Sequence, residues 1–355
     1  MKMKYPAITI NKTKFKENLE IIHRKTTEAN ISVCAVTKGF CAMPELVKLY
    51  ADIGFSEYGD SRLDNLLSIN VPNSRKWMLR LPMISQAEET VRFSDISLNS
   101  EIETIRALGA EALKAGKHHK IVLAIEKGDL REGVMSEDAV VMAGEILTID
   151  GIELLGIATN FNCFGGIIPD VDKLNELVRI AEEIEQIYGI RLGIISGGNS
   201  GSAYMIENGE LPSRINNLRI GELILCGRET SYQRNLWELH TDIFTMQAEI
   251  VECKTKPSLP YGNVGLDAFG KTPLHVDKGL QERAIIAVGK QDVSMDYISP
   301  RDKELKILGG SSDHFIIDVT HSCRNYKVGD IVEFDLSYGG ILNLFTSKYI
   351  NKVIL

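Results

Sequence analysis

Polar residues of kinds that do chemistry stand at the ends of short apolar runs in this chain. Lys38 closes ISVCAVTK; Asp60, Ser61 and Arg62 follow SEYG; Asn99 follows ISL. Arg131 lies in GDLREG, Asn160 in GIATNFN, Asn199 and Ser200 in ISGGNSG, and Arg219 in NLRIG, with Gly221 and Glu222 next. A lysine emerging from an apolar run is partly desolvated, which lowers an amine's proton affinity and suits Schiff-base chemistry. Taken alone, a solvated strand-end lysine is the commoner case. The glycine-rich ISGGNSGS segment, read as a turn after a strand, offers backbone N–H groups to a phosphate, although it matches neither G-x-x-x-x-G-K-[ST] nor G-x-G-x-x-G. Arg219 adds a guanidinium beside further backbone donors.

The elements that must position these residues follow a strand–helix rhythm. Apolar runs at Ile31–Thr37, Gly54–Tyr58, Lys76–Leu81, Ile96–Leu98, Lys120–Glu126, Glu153–Thr159, Leu192–Ser196 and Asn217–Ile220 alternate with helical segments such as Pro44–Asp52, Ser100–Ala115 and Asp170–Tyr188. In the last, Leu174, Leu177, Val178, Ala181 and Ile184 keep the three–four spacing of a buried helix face. Asp170 reads as an N-cap, and Ser100 with Glu103 as a capping box. The pattern predicts an α/β fold, a (β/α)8 TIM barrel over 11–235, with an open doubly wound sheet as the competing arrangement. In such a barrel the active site gathers at the C-terminal strand ends, where the residues above stand. Beyond residue 235 the helical pattern stops. Phe244–Cys253, Arg283–Val288, Phe315–Val319 and Ile331–Asp335, separated by PYGN, GGSSD and VGD, predict an antiparallel β domain over 236–355. The strand Ala7–Ile10, within residues 1–10, is expected to join it.

Bulk properties restrict the function. The 355 residues suit two domains, and a net charge of -8 without basic runs argues against nucleic acid as a partner. No apolar run approaches the roughly 20 residues of a membrane helix, and the first residues lack a secretory h-region, so a cytoplasmic protein without membrane contact is expected. Six scattered cysteines form no C-x-x-C pair, so reduced, mostly buried thiols and no metal site are expected.

AVTK at 35–38, GDLREG at 128–133, NS at 199–200, LRIG at 218–221, PYG at 260–262 and SSDHFIIDVT at 311–320 followed by KVGD resemble, in order, the alanine racemase family. GDSRLDN at 59–65, RLPM at 80–83 and SLNSEIE at 97–103 resemble its alanine/ornithine branch. The resemblance implies a homodimer of two-domain chains that binds pyridoxal 5'-phosphate and racemises an amino acid. It implies that Lys38 carries the cofactor and acts as one base, with Tyr261 as the opposite-face base, contributed across the dimer interface. Arg219 would face the pyridine nitrogen. Ser200, with the backbones of Gly221 and Glu222, would hold the phosphate, as would Tyr338 by a looser match. Arg131 would lie near the cofactor's phenolic oxygen and the substrate carboxylate, Asn160 beside the ring, and Ser312 and Asp313 on the substrate side.

Two departures matter. Family members carry a lysine, often carbamylated, at the position of Ala124, so the charge that orients Arg131 must come from elsewhere; Glu126 and Asp129 are the candidates. Asn160 stands in place of a histidine. The branch implies ornithine as substrate, with lysine, alanine or serine as further possibilities, and Asp313 as partner of a terminal ammonium. A non-catalytic pyridoxal-phosphate carrier would not need Tyr261. A fold-type III decarboxylase would pair the pyridine nitrogen with a carboxylate in an EPGR-like motif, which is absent; Cys323, which could imitate that enzyme's cysteine, reads as a buried structural thiol.

Overall fold

The computed structural model describes residues 3–267, 269–270, 272 and 276–355. The chain forms two compact units, one of Thr13–Thr241 and one of Met1–Lys12 with Asp242–Leu355.

In the first unit, β2 (Ser32–Val36), β3 (Glu57–Asp60), β4 (Arg75–Met78), β5 (Ile96–Asn99), β6 (His119–Ala124), β7 (Ile152–Ala158), β8 (Ile194–Asn199) and β9 (Asn217–Ile220) close a parallel barrel, β9 pairing back onto β2. Closure removes the open-sheet alternative. β3, β5 and β9 are buried along their whole length, as expected of strands covered on both faces. Cys34, Trp77, Ile96, Leu98, Val122, Ala158 and Ile194 form a barrel core cluster. Gly156 lets β7 approach β8, because a Cβ there would stand 2.0 Å from the Ile194 carbonyl oxygen.

Helix Val171–Tyr188 buries Leu174, Leu177, Val178, Ala181 and Ile184, with Ile180, and the Asp170 carboxylate accepts the Lys173 N–H at 2.8 Å as its N-cap. The Ser100 cap is wrong. Ser100 is buried at the end of β5, and extended Glu101 makes the turn into helix Ile102–Lys114 without a side-chain cap. β3 starts three residues later than the apolar run suggested, because Gly54 (φ 112°) is spent closing helix Pro44–Ile53. The ISGGN segment is also not the predicted turn. It stays in β8, where a register shift between Ser196 and Asn199 and Gly198 at φ 114° mark a bulge.

In the second unit, β1 (Ala7–Ile10) lies between β10 (Phe244–Pro257) and β16 (Asn351–Ile354), antiparallel to the first and parallel to the second. The expected strand joins this sheet, and the parallel pair is a local exception to an antiparallel layer. The sheet runs β12 (Ile298–Pro300), β15 (Ile331–Leu336), β10, β11 (Leu280–Ile286), β14 (Phe315–Asp318), β13 (Lys306–Gly310). The helical pattern does not stop at 235: Tyr338–Thr346, beyond the last expected strand, is a helix that buries Ile341, Leu344 and Phe345. Only Cys34 of the six free cysteines is fully buried. Cys163 and Cys323 are exposed, because both lie on loops; Cys323 is therefore not the buried thiol expected. Among the described residues no helix is long and apolar enough to cross a membrane.

Candidate active site

The strand-end residues of the barrel meet at its C-terminal mouth. Lys38 opens a 3-10 turn, Lys38–Phe40, directly after β2. Phe40 is fully buried, stacked on Tyr50 at 5.8 Å and edge-on to Phe15 at 6.4 Å, which seats the turn on an aromatic cluster. Lys38 itself is half-buried. Arg219, on the neighbouring β9, is buried; its Nη1 donates to Ser196 Oγ and its Nη2 to the Thr159 carbonyl, both at 2.7 Å. Burial draws its pKa down, yet a guanidinium keeps its proton at any physiological pH. The result is a fixed cation whose position two β-strands define.

Ser200 Oγ accepts the N–H groups of Gly221 at 3.2 Å and Leu223 at 3.1 Å, tying the end of β8 to the start of the segment Glu222–Cys226. Its partner beyond Gly221 is thus Leu223. Gly201 beside it has no room for a side chain, since a Cβ would meet Asn162 Oδ1 at 2.5 Å and Thr230 Oγ1 at 2.7 Å. Burial pushes the Glu222 carboxyl up, while a hydrogen bond from Gln233 and the charge of Lys38 pull it down.

Asn160 Oδ1 accepts from Asn199 Nδ2 at 3.1 Å, and its own Nδ2 is buried with no hydrogen-bond acceptor among the described residues. Thr159 Oγ1 is orphaned in the same way. Buried polar atoms without partners are rare and costly, so two on consecutive residues beside Arg219 suit a site that a polar molecule completes.

Arg131 corrects the expectation for its partner. Glu132 accepts from both Nε and Nη2 of the guanidinium, and Glu126 reaches only the Arg131 backbone N–H, at 3.2 Å. Asp129 faces the other way: its carboxylate accepts N–H groups of Cys163, Phe164, Gly165 and Ile167, bracing the 163–167 loop. Glu132 wins because it is adjacent and only 16% exposed, and its charge also acts on Arg219. Ala124 is buried in β6.

Asp60 is one of the strand-end residues to which the sequence assigned no role. It is fully buried at the end of β3, where its carboxylate accepts Thr37 Oγ1–H at 2.7 Å, Asn65 Nδ2–H at 3.0 Å and the Arg62 N–H at 3.0 Å. The signal available was its place after SEYG, next in space to the strand that ends in Lys38.

Tyr261, Ser312, Asp313 and Tyr338 belong to the other unit. Tyr261 is 95% exposed, one residue before Gly262 at φ 105°. Asp313 accepts from Gln291 Nε2 at 2.5 Å and from Ser312 Oγ at 2.7 Å. Tyr338 is the first residue of helix Tyr338–Thr346.

Residues 10–228 match the family described as alanine racemase, N-terminal domain. Ornithine racemase of Acetoanaerobium sticklandii is 42% identical over 99% of this chain and 100% of its own length. Lysine racemase of Thermotoga maritima is 37% identical over 99% of each. Among solved structures, alanine racemase from D-cycloserine producing Streptomyces lavendulae superimposes with a TM-score of 0.75 at 15% identity, covering 100% of this chain and 98% of that one, which shows the shared fold. With a barrel mouth built of Lys38, Arg131, Asn160, Ser200 and Arg219, and relatives matching from end to end, the chain belongs to the alanine racemase family.

Proposed function

We propose that this enzyme is a pyridoxal 5'-phosphate-dependent racemase that interconverts L- and D-ornithine as a homodimer. The observation that carries the reading is the fixed Arg219 cation on β9, hydrogen-bonded to its neighbours and paired in register beside β2, whose end bears Lys38. Full-length identity to an ornithine racemase favours ornithine over the other amino acids.

The residues present fit the cofactor. The orphaned Asn160 Nδ2 is a donor for its ring substituents, and Ser200 Oγ, which accepts from the Gly221 and Leu223 N–H groups, keeps its own proton to donate to a phosphate oxygen. When bound, pyridoxal phosphate supplies an electron-withdrawing ring that acidifies the substrate Cα–H. Lys38 would hold it, and Lys38 Nζ would take or return the proton on one face of Cα. Tyr261 Oη would serve the other face. Its exposure suits delivery into the partner subunit's site. Arg219, permanently charged, would disfavour protonation of the ring nitrogen, which weakens the electron sink and suppresses transamination. Arg131 would bind the substrate carboxylate through its fork, oriented by Glu132. Ser200, with the backbones of Gly221 and Glu222, and Tyr338 would hold the phosphate. Ser312 and Asp313 would face the substrate side chain.

Borohydride reduction of the yellow protein, followed by peptide mass mapping, should place the phosphopyridoxyl group on Lys38. Chiral chromatography of L-ornithine, L-lysine, L-alanine and L-serine incubations should show ornithine racemised fastest. A label on another lysine, or no racemisation of any of the four, would overturn the reading.

A further inference from the structure

We propose that Asp60 is a positioning residue for Lys38: through the Thr37 hydroxyl it fixes the turn that aims the lysine's amine. The inference rests on the cofactor reading given above.

Three observations carry it. The Asp60 carboxylate is fully buried, and its oxygens are divided between two tasks: Oδ2 accepts from Thr37, the residue before Lys38, and Oδ1 accepts from Asn65 and the Arg62 N–H. One side chain thus joins the ends of β2 and β3 and helix Leu63–Ser68. A buried carboxylate costs more than an amide or an apolar group of similar size unless several donors meet it. Here burial does push its carboxyl above the ordinary aspartate range, against the pull of those donors.

The turn it holds is itself unusual. Cys41 (φ 50°) and Ala42 (φ 47°) are consecutive non-glycine residues in the left-handed region. Such backbone persists where the surroundings over-determine it. The turn closes on Thr37, whose carbonyl accepts the N–H groups of Phe40 at 3.1 Å and Ala42 at 3.2 Å. Phe40 anchors the turn on its core side; on its strand side the Asp60–Thr37 hydrogen bond fixes the Thr37 side chain, beside the backbone bond from the Thr37 N–H to the Gly59 carbonyl at 2.9 Å. Lys38 lies between the two anchors, so loss of either frees the direction of its side chain.

The test separates aim from binding. Cofactor-free protein is titrated with pyridoxal phosphate, whose aldehyde condenses with the Lys38 amine and releases one water, and with pyridoxine 5'-phosphate, which has the same ring and phosphate but no aldehyde. The first is read by visible absorbance, the second by quenching of protein fluorescence. Thr37→Val and Asp60→Asn should weaken the absorbing, lysine-linked form about tenfold and leave pyridoxine phosphate affinity within about twofold. Thr37→Ser, which keeps the hydroxyl, should behave as wild type. Equal weakening toward both compounds, or no change toward either, would overturn the inference. If Asp60→Asn does not fold, the Thr37→Val and Thr37→Ser pair decides the matter alone. No absorbing form in the unsubstituted protein would instead overturn the cofactor reading, and this inference with it.

Discussion

Acid should destabilise the barrel through one histidine. His119 begins β6 and is 1% exposed, with Nε2 2.9 Å from Ser97 Oγ and Nδ1 without a partner among the described residues. Ser97 Oγ, which also accepts Asn99 Nδ2–H at 2.9 Å, is the ring's hydrogen-bond partner, and no carboxylate is hydrogen-bonded to the imidazole among the described residues. Burial, reinforced by the Lys117 charge, pulls its pKa from 6.5 down to about 4. The unfolded chain therefore takes up a proton between pH 6.5 and 4 that the folded chain refuses. The stabilising contribution is complete above pH 6.5 and is lost as the pH falls toward 4. At about 1.4 kcal/mol per pH unit, that interval amounts to about 3.5 kcal/mol. Carboxylates titrate over the same range, so the quantity to follow is the difference between wild type and His119→Gln, which lacks the titrating group. Urea unfolding of both proteins from pH 7 to 4.5 should show wild type losing about 2–3 kcal/mol relative to the variant. Parallel pH profiles, or an NMR titration of His119 centred near 6.5, would refute the reasoning.

Other consequences follow from the site. Asp129→Ala removes the acceptor for Phe164 N–H at 3.0 Å and Gly165 N–H at 3.1 Å, at a cost of about 2–3 kcal/mol; amide exchange should quicken across 163–167, and unchanged protection would contradict the bracing role. Lys38→Ala and Tyr261→Phe should each be inactive, yet re-associated equimolar mixtures should regain about a quarter of wild-type activity, because half the dimers would carry one intact shared site. No recovery despite subunit exchange would show that each chain supplies its own pair. Asp313→Asn should lower ornithine turnover about tenfold more than alanine turnover, the loss expected of a charge-paired ammonium; equal losses would remove that role.

Much of this was legible in the sequence because strand and helix periods differ and because barrel strands end in polar residues. The eight barrel strands and the Asp170 cap follow from local patterns, and the joining of Ala7–Ile10 to the later sheet follows from its place before the barrel rhythm. What was not legible depends on contacts between segments distant in the chain. Nothing near Asp60 announces that its carboxylate meets Thr37, since strand register creates that pairing. The ISGGN glycines read as a turn, yet a bulge lets them continue β8. Arg131 shows the converse failure: its partner Glu132 is the next residue, passed over in favour of Glu126 and Asp129, whose carboxylates are occupied by backbone N–H groups.

Solvent exchange at Cα of ornithine tests the proposed racemisation most directly. The cofactor-loaded protein, incubated with L-ornithine in D2O, should drive optical rotation to zero while one deuterium enters Cα of the D-isomer formed, and Lys38→Ala should do neither. Rotation lost without deuterium at Cα, or carbon dioxide released in place of racemisation, would contradict it.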